Sequence, residues 1–467
     1  MSDSLAALYG ASPLWVQNAL LSVYGLRLRF LRYGRLQRRY LAELQRTQWL
    51  SEDQIRALQL ERLTALVRHA YETVPLYQSR PKPAVPFTDL AQLRDLPVLS
   101  KDQLRAPRSR VTSTLRGRGG VGRRTVEVHT GGTTGKPLTI YCDRATLQRN
   151  YAFFERLKQW AGIPRGARVA TFAGRTIVSP GQTKPPFWRF NAAANTLLLS
   201  SYHISPDTLP HYVQGLRAFG PDLIDSYPSS LRPIARYLLD EGISDLRPRA
   251  VITSSETLDV DTRRVIEAAF GCRVFDHYGA AEMAAFVTQC EAGTYHVNPE
   301  FGIVEVVRDG QPAGSGEIGE IIATGFLNPV MPLIRYATGD LATVASGPCR
   351  CGRAFPSLAR IEGRADDVVV TPEGRWIGRL DPIFKSVSSL HETRIVQDRA
   401  DHVRVEVVPL ETFSTADRDA LVSALGHRLG PSMSIDVVQV NQIPRTAAGK
   451  FPAVVNLVRR QTAEQPS

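Results

Sequence analysis

No uninterrupted apolar run in the 467-residue chain is long enough to cross a bilayer. The longest candidate, Pro13 to Leu31, is broken by Arg27 and Arg29. The N-terminus also lacks an apolar segment followed by a small-residue cleavage site, so no secretory signal is expected. Cysteines number only five, an odd count that argues against a disulfide scaffold and for a reducing cytoplasm. Repeats, low-complexity stretches and signatures of DNA- or RNA-binding modules are missing. The net charge of +12 is spread along the chain, and therefore points to small anionic ligands, then to a membrane surface, ahead of nucleic acid. What remains is ordinary globular composition, 43% hydrophobic and 22% charged, with length for at least two domains.

Residues 1 to about 80 read as helices. The stretch "ALLSVYGLRLRFLRYGRLQRRYLAEL" has apolar residues at helical spacing and a dense arginine face. Two readings stay open: the arginines form a solvated face, or the helix associates peripherally with anionic lipid. "SEDQIRALQLERLTALVRHAYETV" opens on an N-cap, Ser51, with acids in its first turn, and Pro75 ends it. From Pro81 to about Ile361, β-branched runs such as "ARVATFAG", "PDLIDSYP", "PRAVITSSE" and "CRVFDHYGAAE" alternate with helical segments. That alternation predicts an α/β sheet with ligand groups at strand C-terminal ends. "GIVEVVRDGQPAGSGEIGEIIATGF" reads instead as antiparallel hairpins. After Gly363, "DDVVVTPEG" opens a small α+β unit with strands "RIVQD", "HVRVEVVP" and "SIDVVQV" and a helix over Thr415–Leu429.

The stretch "EVHTGGTTGKPLTIY", residues 127–141, sets a loop rich in glycine and threonine between two apolar runs. Glycines let a backbone turn its N–H groups onto an anion, threonine hydroxyls add donors, and Lys136 adds a point charge. The loop fails the Walker pattern G-x-x-x-x-G-K-[ST]. Thr130 stands for the first glycine, and Pro137 stands for the metal-binding hydroxyl and disfavours a helix at residue 136. Taken alone, it is equally a polyphosphate cradle or a glycine-rich hairpin turn.

Four further segments follow in order: "DHYGAAE" (276–282), "RYATGD" (335–340), "EGRADDVV" (362–369) and "PRTAAGKF" (444–451). With "HTGGTTGKPL" they resemble the motifs of adenylate-forming enzymes, the acyl-CoA synthetase and ligase superfamily. The N-terminal "HAYETVPLY", with "PPFWRFN", "SSYHIS" and "DSYPSSL", resembles the phenylacetate–CoA ligase-like branch and its capsular polysaccharide biosynthesis subgroup. The resemblance implies a large α/β N-terminal domain, with mixed sheets, helices and a β-barrel-like part, and a small mobile α+β C-terminal domain. The boundaries expected are a helical extension over 1–80, an adenylation core over 81–365, and a lid over 366–467.

It also implies a reaction. A carboxylic acid joins the α-phosphate of ATP, pyrophosphate leaves, and the acyl group passes to coenzyme A or another thiol or amine acceptor. Thr133, Thr134, Gly135 and Lys136 would hold the phosphates, with Thr130, Gly131 and Gly132 in the same loop. Glu282 would hold Mg²⁺, and Tyr278, within Asp276–His277–Tyr278–Gly279, would stack on adenine. Ser254, Ser255 and Glu256 would edge the base pocket, Asp340 would accept from the ribose hydroxyls, and Arg364 would donate near the same sugar. Lys450 would neutralise charge between carboxylate and α-phosphate, and Asp366 would lie in the hinge. Ala281 departs from the family, where many members carry Thr or Ser. Rival readings are an amide- or ester-forming ligase that decorates a polysaccharide, and a degenerate scaffold in glycan assembly.

Cys290 and His296 in "QCEAGTYH", with Cys349 and Cys351 in "PCRCGR", form a Cys₃His set suited to tetrahedral Zn²⁺. The same region carries a zinc knuckle in some phenylacetate–CoA ligase-like proteins, so a structural zinc is expected. Cys142 and Cys272 read as plain core residues. "SYPSS", with Trp188, Tyr202 and His203, hints at an aromatic-lined pocket for the acid.

Overall fold

The structure is a computed structural model that describes residues 9–10, 12–115, 125–129, 138–173, 177–179, 181–364, 369–373, 376–377, 380, 387, 389–444 and 454–458. Helix α1 spans Leu14–Arg32, α2 Arg35–Thr47 and α3 Glu52–Thr73. The periodic stretch read as one helix is thus two, because Tyr33 and Gly34 are extended. Gly34 lies against the Gln148 amide, where a Cβ would sit 3.1 Å from Nε2. Ser51 caps α3 as expected: its Oγ accepts from Gln54 N–H, and Gln54 Oε1 accepts from Ser51 N–H. Pro75 ends the run and starts a single turn, Pro75–Gln78.

Two strands, β1 (Thr125–His129) and β2 (Thr139–Asp143), pair antiparallel and lead into α4 (Arg144–Trp160). The strands that follow are β3 (Val169–Ala173), β4 (Trp188–Asn191) and β5 (Thr196–Ser200). Helices α5 (Leu209–Phe219), α6 (Pro228–Asp240) and α7 (Val260–Phe270) then alternate with β6 (Leu223–Ser226), β7 (Ala250–Ser254) and β8 (Arg273–Gly279). Antiparallel strands come next: β9 (Phe286–Gln289), β10 (Tyr295–Val297), β11 (Gly302–Arg308), β12 (Gln311–Pro312), β13 (Ile318–Gly325), β14 (Leu333–Val344) and β15 (Ser357–Arg364).

Strands β3 to β15 make one thirteen-stranded sheet, in the order β12-β11-β13-β14-β15-β10-β9-β8-β7-β6-β3-β5-β4. The strands from β5 to β8 are parallel, as the alternation of strand and helix requires. From β9 onward the pairing is antiparallel. The part expected to be barrel-like is therefore hydrogen-bonded to the parallel half, because the chain turns between Gly279 and Phe286 and pairs those two residues.

Both sheet edges are blunted. Strand β12 is two residues long and contains Pro312. Along β4, α1 supplies side-chain acceptors: Phe190 N–H donates to Asn18 Oδ1 at 2.9 Å and Ala192 N–H to Ser22 Oγ at 3.0 Å.

The C-terminal unit is a separate sheet with its own core. Strands β16 (Val369–Val370) and β17 (Trp376–Ile377) form a short ribbon. Strands β18 (Leu390–Arg399) and β19 (His402–Pro409) pair antiparallel, helix α8 (Thr415–Leu429) crosses over, and β20 (Ser434–Gln439) and β21 (Val454–Asn456) complete the order β20-β19-β18-β21. Ile395, Val403 and Val405 of the sheet pack against Leu421 and Leu425 of the helix.

Candidate functional site

Strand β8 ends where the parallel half of the sheet meets the antiparallel half, and described residues of the "DHYGAAE", "RYATGD" and "EGRADDVV" segments meet near there. Asp340 and Arg364 face each other across β14 and β15. Arg364 Nη1 donates to Asp340 Oδ1 at 3.1 Å and to the Thr338 carbonyl at 2.9 Å. Tyr278 donates its hydroxyl to Asp340 Oδ2 at 2.8 Å. Burial, then the Asp340 charge, pushes that phenol well above its ordinary pKa, so it stays a donor. Gly339 has φ +74°, and a Cβ there would lie 2.8 Å from Arg364 Nη2. The "TGD" glycine thus serves both the turn and the guanidinium above it.

Glu282 is buried, and its Oε1 accepts from the Tyr336 hydroxyl at 2.8 Å. Burial and then the Glu282 charge raise the Tyr336 pKa, which keeps it protonated. Lys101 joins this group, and sequence reasoning missed it. Its pKa is lowered by burial, with Glu282 and Asp340 opposing and Arg364 and Arg105 reinforcing the shift. The placement is backbone-driven. Leu99 bridges Tyr336 in parallel, with Leu99 N–H on the Arg335 carbonyl at 2.8 Å and Ala337 N–H on the Leu99 carbonyl at 3.0 Å. Arg335 secures the same segment. It holds Glu305 bidentately at 3.0 and 3.1 Å, and its Nη1 donates to the Arg94 and Leu96 carbonyls at 2.9 and 2.7 Å. Tyr278, Asp340 and Arg364 are therefore linked by hydrogen bonds, the Tyr336–Glu282 pair lies within electrostatic reach of them, and Lys101 lies within reach of Glu282, Asp340 and Arg364.

The Ser254–Ser255–Glu256 turn follows β7, with Ser255 at φ +69°. Glu256 accepts from Ser229 N–H and Oγ at 3.1 and 2.9 Å, which sets a carboxylate on the N-terminus of α6. The turn adjoins the Arg364 strand, since a Cβ at Gly363 would lie 2.8 Å from Thr257 Oγ1. Asp276 is spent inside the sheet: its oxygens accept from Thr253 and Tyr295, both at 2.6 Å. His277 points to the other face, among Phe154 and Phe286. Burial drops its pKa to about 3, and its Nε2 has no hydrogen-bond partner among the described residues. Gly279 leaves room for that ring, because a Cβ there would lie 2.7 Å from it. Thr130, Gly131, Gly132, Thr133, Thr134, Gly135, Lys136, Asp366 and Lys450 lie outside the described residues. The strands that flank the 130–137 loop are described, and they form a hairpin ribbon with His129 opposite Thr139.

Two of the aromatic residues singled out in the sequence make packing and hydrogen-bond contacts. Trp188 packs on α5, where Gly215 makes room for its ring, and His203 is held by Ser200 Oγ, the Ser179 carbonyl and the Phe187 ring.

A second cluster sits on the antiparallel half. The ligand atoms of Cys290, His296, Cys349 and Cys351 all lie within 4.8 Å of one another. Pairing of β10 with both β9 and β15 brings the two halves of the set together. Cys290 and Cys349 sulfurs are 3.7 Å apart, and Cys351 Sγ is 3.3 Å from His296 Nε2. A zinc tetrahedron with Zn–S near 2.3 Å has edges of about 3.8 Å, so the donors fit that ion. Burial drops the His296 pKa to about 4, which keeps the imidazole in its ligating neutral form. Cys142 is in the core, its thiol pushed up to about 12 by burial.

A family model described as the CapK C-terminal domain matches residues 369–457. Protein CapK of Staphylococcus aureus is 27% identical over 464 residues, covering 97% of this chain and 99% of its own. A phenylacetate–coenzyme A ligase of Escherichia coli (strain K12) is 26% identical over 456 residues, covering 87% of this chain and 96% of its own. The chain is thus similar along most of its length to CapK and to the phenylacetate–coenzyme A ligases. Among solved structures, 2-hydroxyisobutyryl-CoA ligase in its postadenylation state with R3-HIB-AMP matches with a TM-score of 0.65 at 20% identity, over 86% of this chain and 90% of that one. The fold is accordingly that of the adenylate-forming ligases, with a large mixed α/β unit and a separate C-terminal unit.

Proposed function

We propose that the chain is an ATP-dependent carboxylate ligase. A carboxylate oxygen attacks the α-phosphorus of ATP, the bond to the β-phosphate breaks, and pyrophosphate leaves. A thiol or amine then attacks the acyl carbon, loses its proton, and releases AMP. The acceptor named by the ligase homologues and by the structural neighbour is coenzyme A. An acceptor on a glycan is the second reading, favoured by similarity to CapK along nearly the whole chain and by the sequence resemblance to the capsular subgroup.

The observation that carries the proposal is the hydrogen-bonded Tyr278–Asp340–Arg364 group with the Tyr336–Glu282 pair near it at one end of the sheet. Attack by an anion on a polyanion needs oriented positive charge and donors more than it needs a nucleophile or base. Asp340 would accept from the ribose hydroxyls, with Tyr278 and Arg364 fixing its carboxylate. Lys101 and the 130–136 loop would meet the phosphates, and Lys450 would join carboxylate and α-phosphate. Glu282 would hold Mg²⁺, which supplies charge neutralisation on the triphosphate. Cys290, His296, Cys349 and Cys351 would hold a structural Zn²⁺ that fastens the loop between β14 and β15 to the β9–β10 hairpin.

The test is pyrophosphate release by purified protein from Mg-ATP over a panel of carboxylic acids, with hydroxylamine trapping the acyl-adenylate. Release that depends on the acid and is lost in Lys450→Ala is expected. No release with any acid, together with no ATP binding by calorimetry, overturns the ligase reading.

A further inference from the structure

The side of helix α1 that meets the protein mixes Gln17, Asn18, Ser22 and Gly25 with half-buried Leu21 and Leu28, while the side that does not is apolar. Gln17 and Gly25 are buried, Asn18 and Ser22 cap the backbone of the β4 edge, and Arg189 Nε donates to Gln17 Oε1. Gly25 lies directly on Asn191, where a Cβ would come within 2.3 Å of its side chain. Covering a strand edge needs hydrogen-bonding side chains, and that need takes up the inner face. The outer face carries Trp15, Val23 and Phe30, exposed at 73%, 68% and 64%, with Leu20 and Leu26 beside them. Trp15, Ala19, Val23, Leu26 and Phe30 fall on one stripe at spacings of three and four. A helix that borders only water is expected to show the opposite polarity. An outer stripe of this size marks a docking surface.

Charge selects the partner. Between residues 4 and 42 the chain has six arginines and no aspartate or glutamate. Arg27 and Arg29 are exposed on α1, and Arg35, Arg38 and Arg39 are exposed on α2. A two-fold contact with a second copy would press this patch against itself and leave the arginines with no carboxylate to meet. An anionic bilayer offers both complements, headgroup phosphates for the guanidiniums and an acyl boundary for Trp15, Val23 and Phe30. Trp15 suits that boundary because its ring has one apolar body and one polar edge. No described helix is long and apolar enough to cross a membrane, so the contact is parallel to the surface.

We propose that α1 lays its outer face on an anionic membrane surface, with the sheet edge at its back. The contact is independent of the ligase reading, since no residue of the Asp340–Glu282 pocket takes part.

The test is flotation of the full chain with vesicles of phosphatidylcholine, with and without phosphatidylglycerol, at low and raised salt. Binding that needs the anionic lipid and weakens at least about tenfold at raised salt is expected. The variant Trp15→Ser/Val23→Ser/Phe30→Ser should lose binding by about tenfold or more while keeping its melting temperature. Arg27→Glu, tested alone, should weaken binding through charge only, and serves if the triple variant misfolds. Equal binding to neutral vesicles, or none to either kind, overturns the proposal. So does sedimentation as a dimer that the triple variant turns into a monomer without any vesicle binding, which would assign the face to a second copy.

Discussion

Tyr278 and Asp340 are joined by a 2.8 Å hydrogen bond between β8 and β14, strands that lie on either side of the β9, β10 and β15 run in the sheet. One link thereby spans the step between the parallel and antiparallel halves. With Arg364 on the other oxygen, the Asp340 carboxylate has a fixed orientation and lone pairs left over for a diol.

Asp340→Ala should therefore weaken ATP much more than the carboxylic acid. A hydrogen bond to a charged group contributes about 1.5–3 kcal/mol, or roughly 10- to 100-fold in affinity. Calorimetric titration reads this directly. Wild-type ATP affinity in the variant would remove Asp340 from the site.

Lys101→Ala should slow pyrophosphate release by about 10²-fold, as for loss of one oriented charge at a developing anion. The KM for the acid should barely move, and Lys101→Arg should recover part of the rate. Because burial lowers the lysine pKa, wild-type activity should fall on the alkaline side before an ordinary lysine would deprotonate. That limb should disappear from the residual activity of Lys101→Ala. An unchanged rate would make Lys101 a surface charge that merely borders the pocket.

Purified protein should carry about one zinc per chain by elemental analysis, the stoichiometry of one four-ligand site. Cys349→Ser and Cys290→Ser should each lose it, since a neutral hydroxyl replaces a thiolate. Melting temperature should drop and proteases should cut around residues 285–355, but the chain should stay folded because the large unit has its own cores. Metal-free protein with freely titrating thiols and normal stability would return the four residues to ordinary packing.

His402 gives the C-terminal unit a pH dependence. Its Nδ1 bonds Asp398 and its Nε2 meets Asp436 at 3.1 Å, and these contacts raise its pKa against burial and Arg399. The folded unit therefore holds the proton more tightly than the unfolded chain, whose value is about 6.5. The stabilisation is complete below that value and fades as pH rises through the folded one. Hydrogen exchange in β18 to β20, corrected for intrinsic rate, should show protection falling as the pH rises above about 6.5. The trend should be absent in His402→Gln. A parallel trend in that variant would assign it to other groups.

Motif order in the sequence singled out Tyr278, Glu282, Asp340 and Arg364, and the structure joins Tyr278 and Arg364 to Asp340 by hydrogen bonds, with Glu282 on Tyr336 nearby. Their chemistry is carried by short segments whose strand and turn character is local. Lys101 was invisible because nothing near "LSKDQL" announces it; it reaches the pocket through the bridge from Leu99 to Tyr336 and the grip of Arg335 on residues 94–96. The Cys₃His set was legible by residue type, while its closure depends on β10 pairing with β15, a non-local contact. Asp276 shows the converse. Its motif position suggested a ligand role, yet Thr253 and Tyr295 already engage both its oxygens. The break at Gly34 was missed because apolar periodicity continues on both sides of it, and the close approach of Gln148 is a tertiary matter.

Asn18 and Ser22 have a bearing on how the protein can be handled. Trimming a greasy N-terminal helix is a familiar way to improve a recombinant product. Here the cut would uncover the outer rim of a thirteen-stranded sheet, with Phe190 and Ala192 N–H groups open to any passing strand. The shortened protein should deposit as β-rich aggregate, visible as rising thioflavin fluorescence, while the full-length chain with Trp15, Val23 and Phe30 changed to serine stays dispersed. Polishing the helix's outer surface is safe; amputating the helix is not.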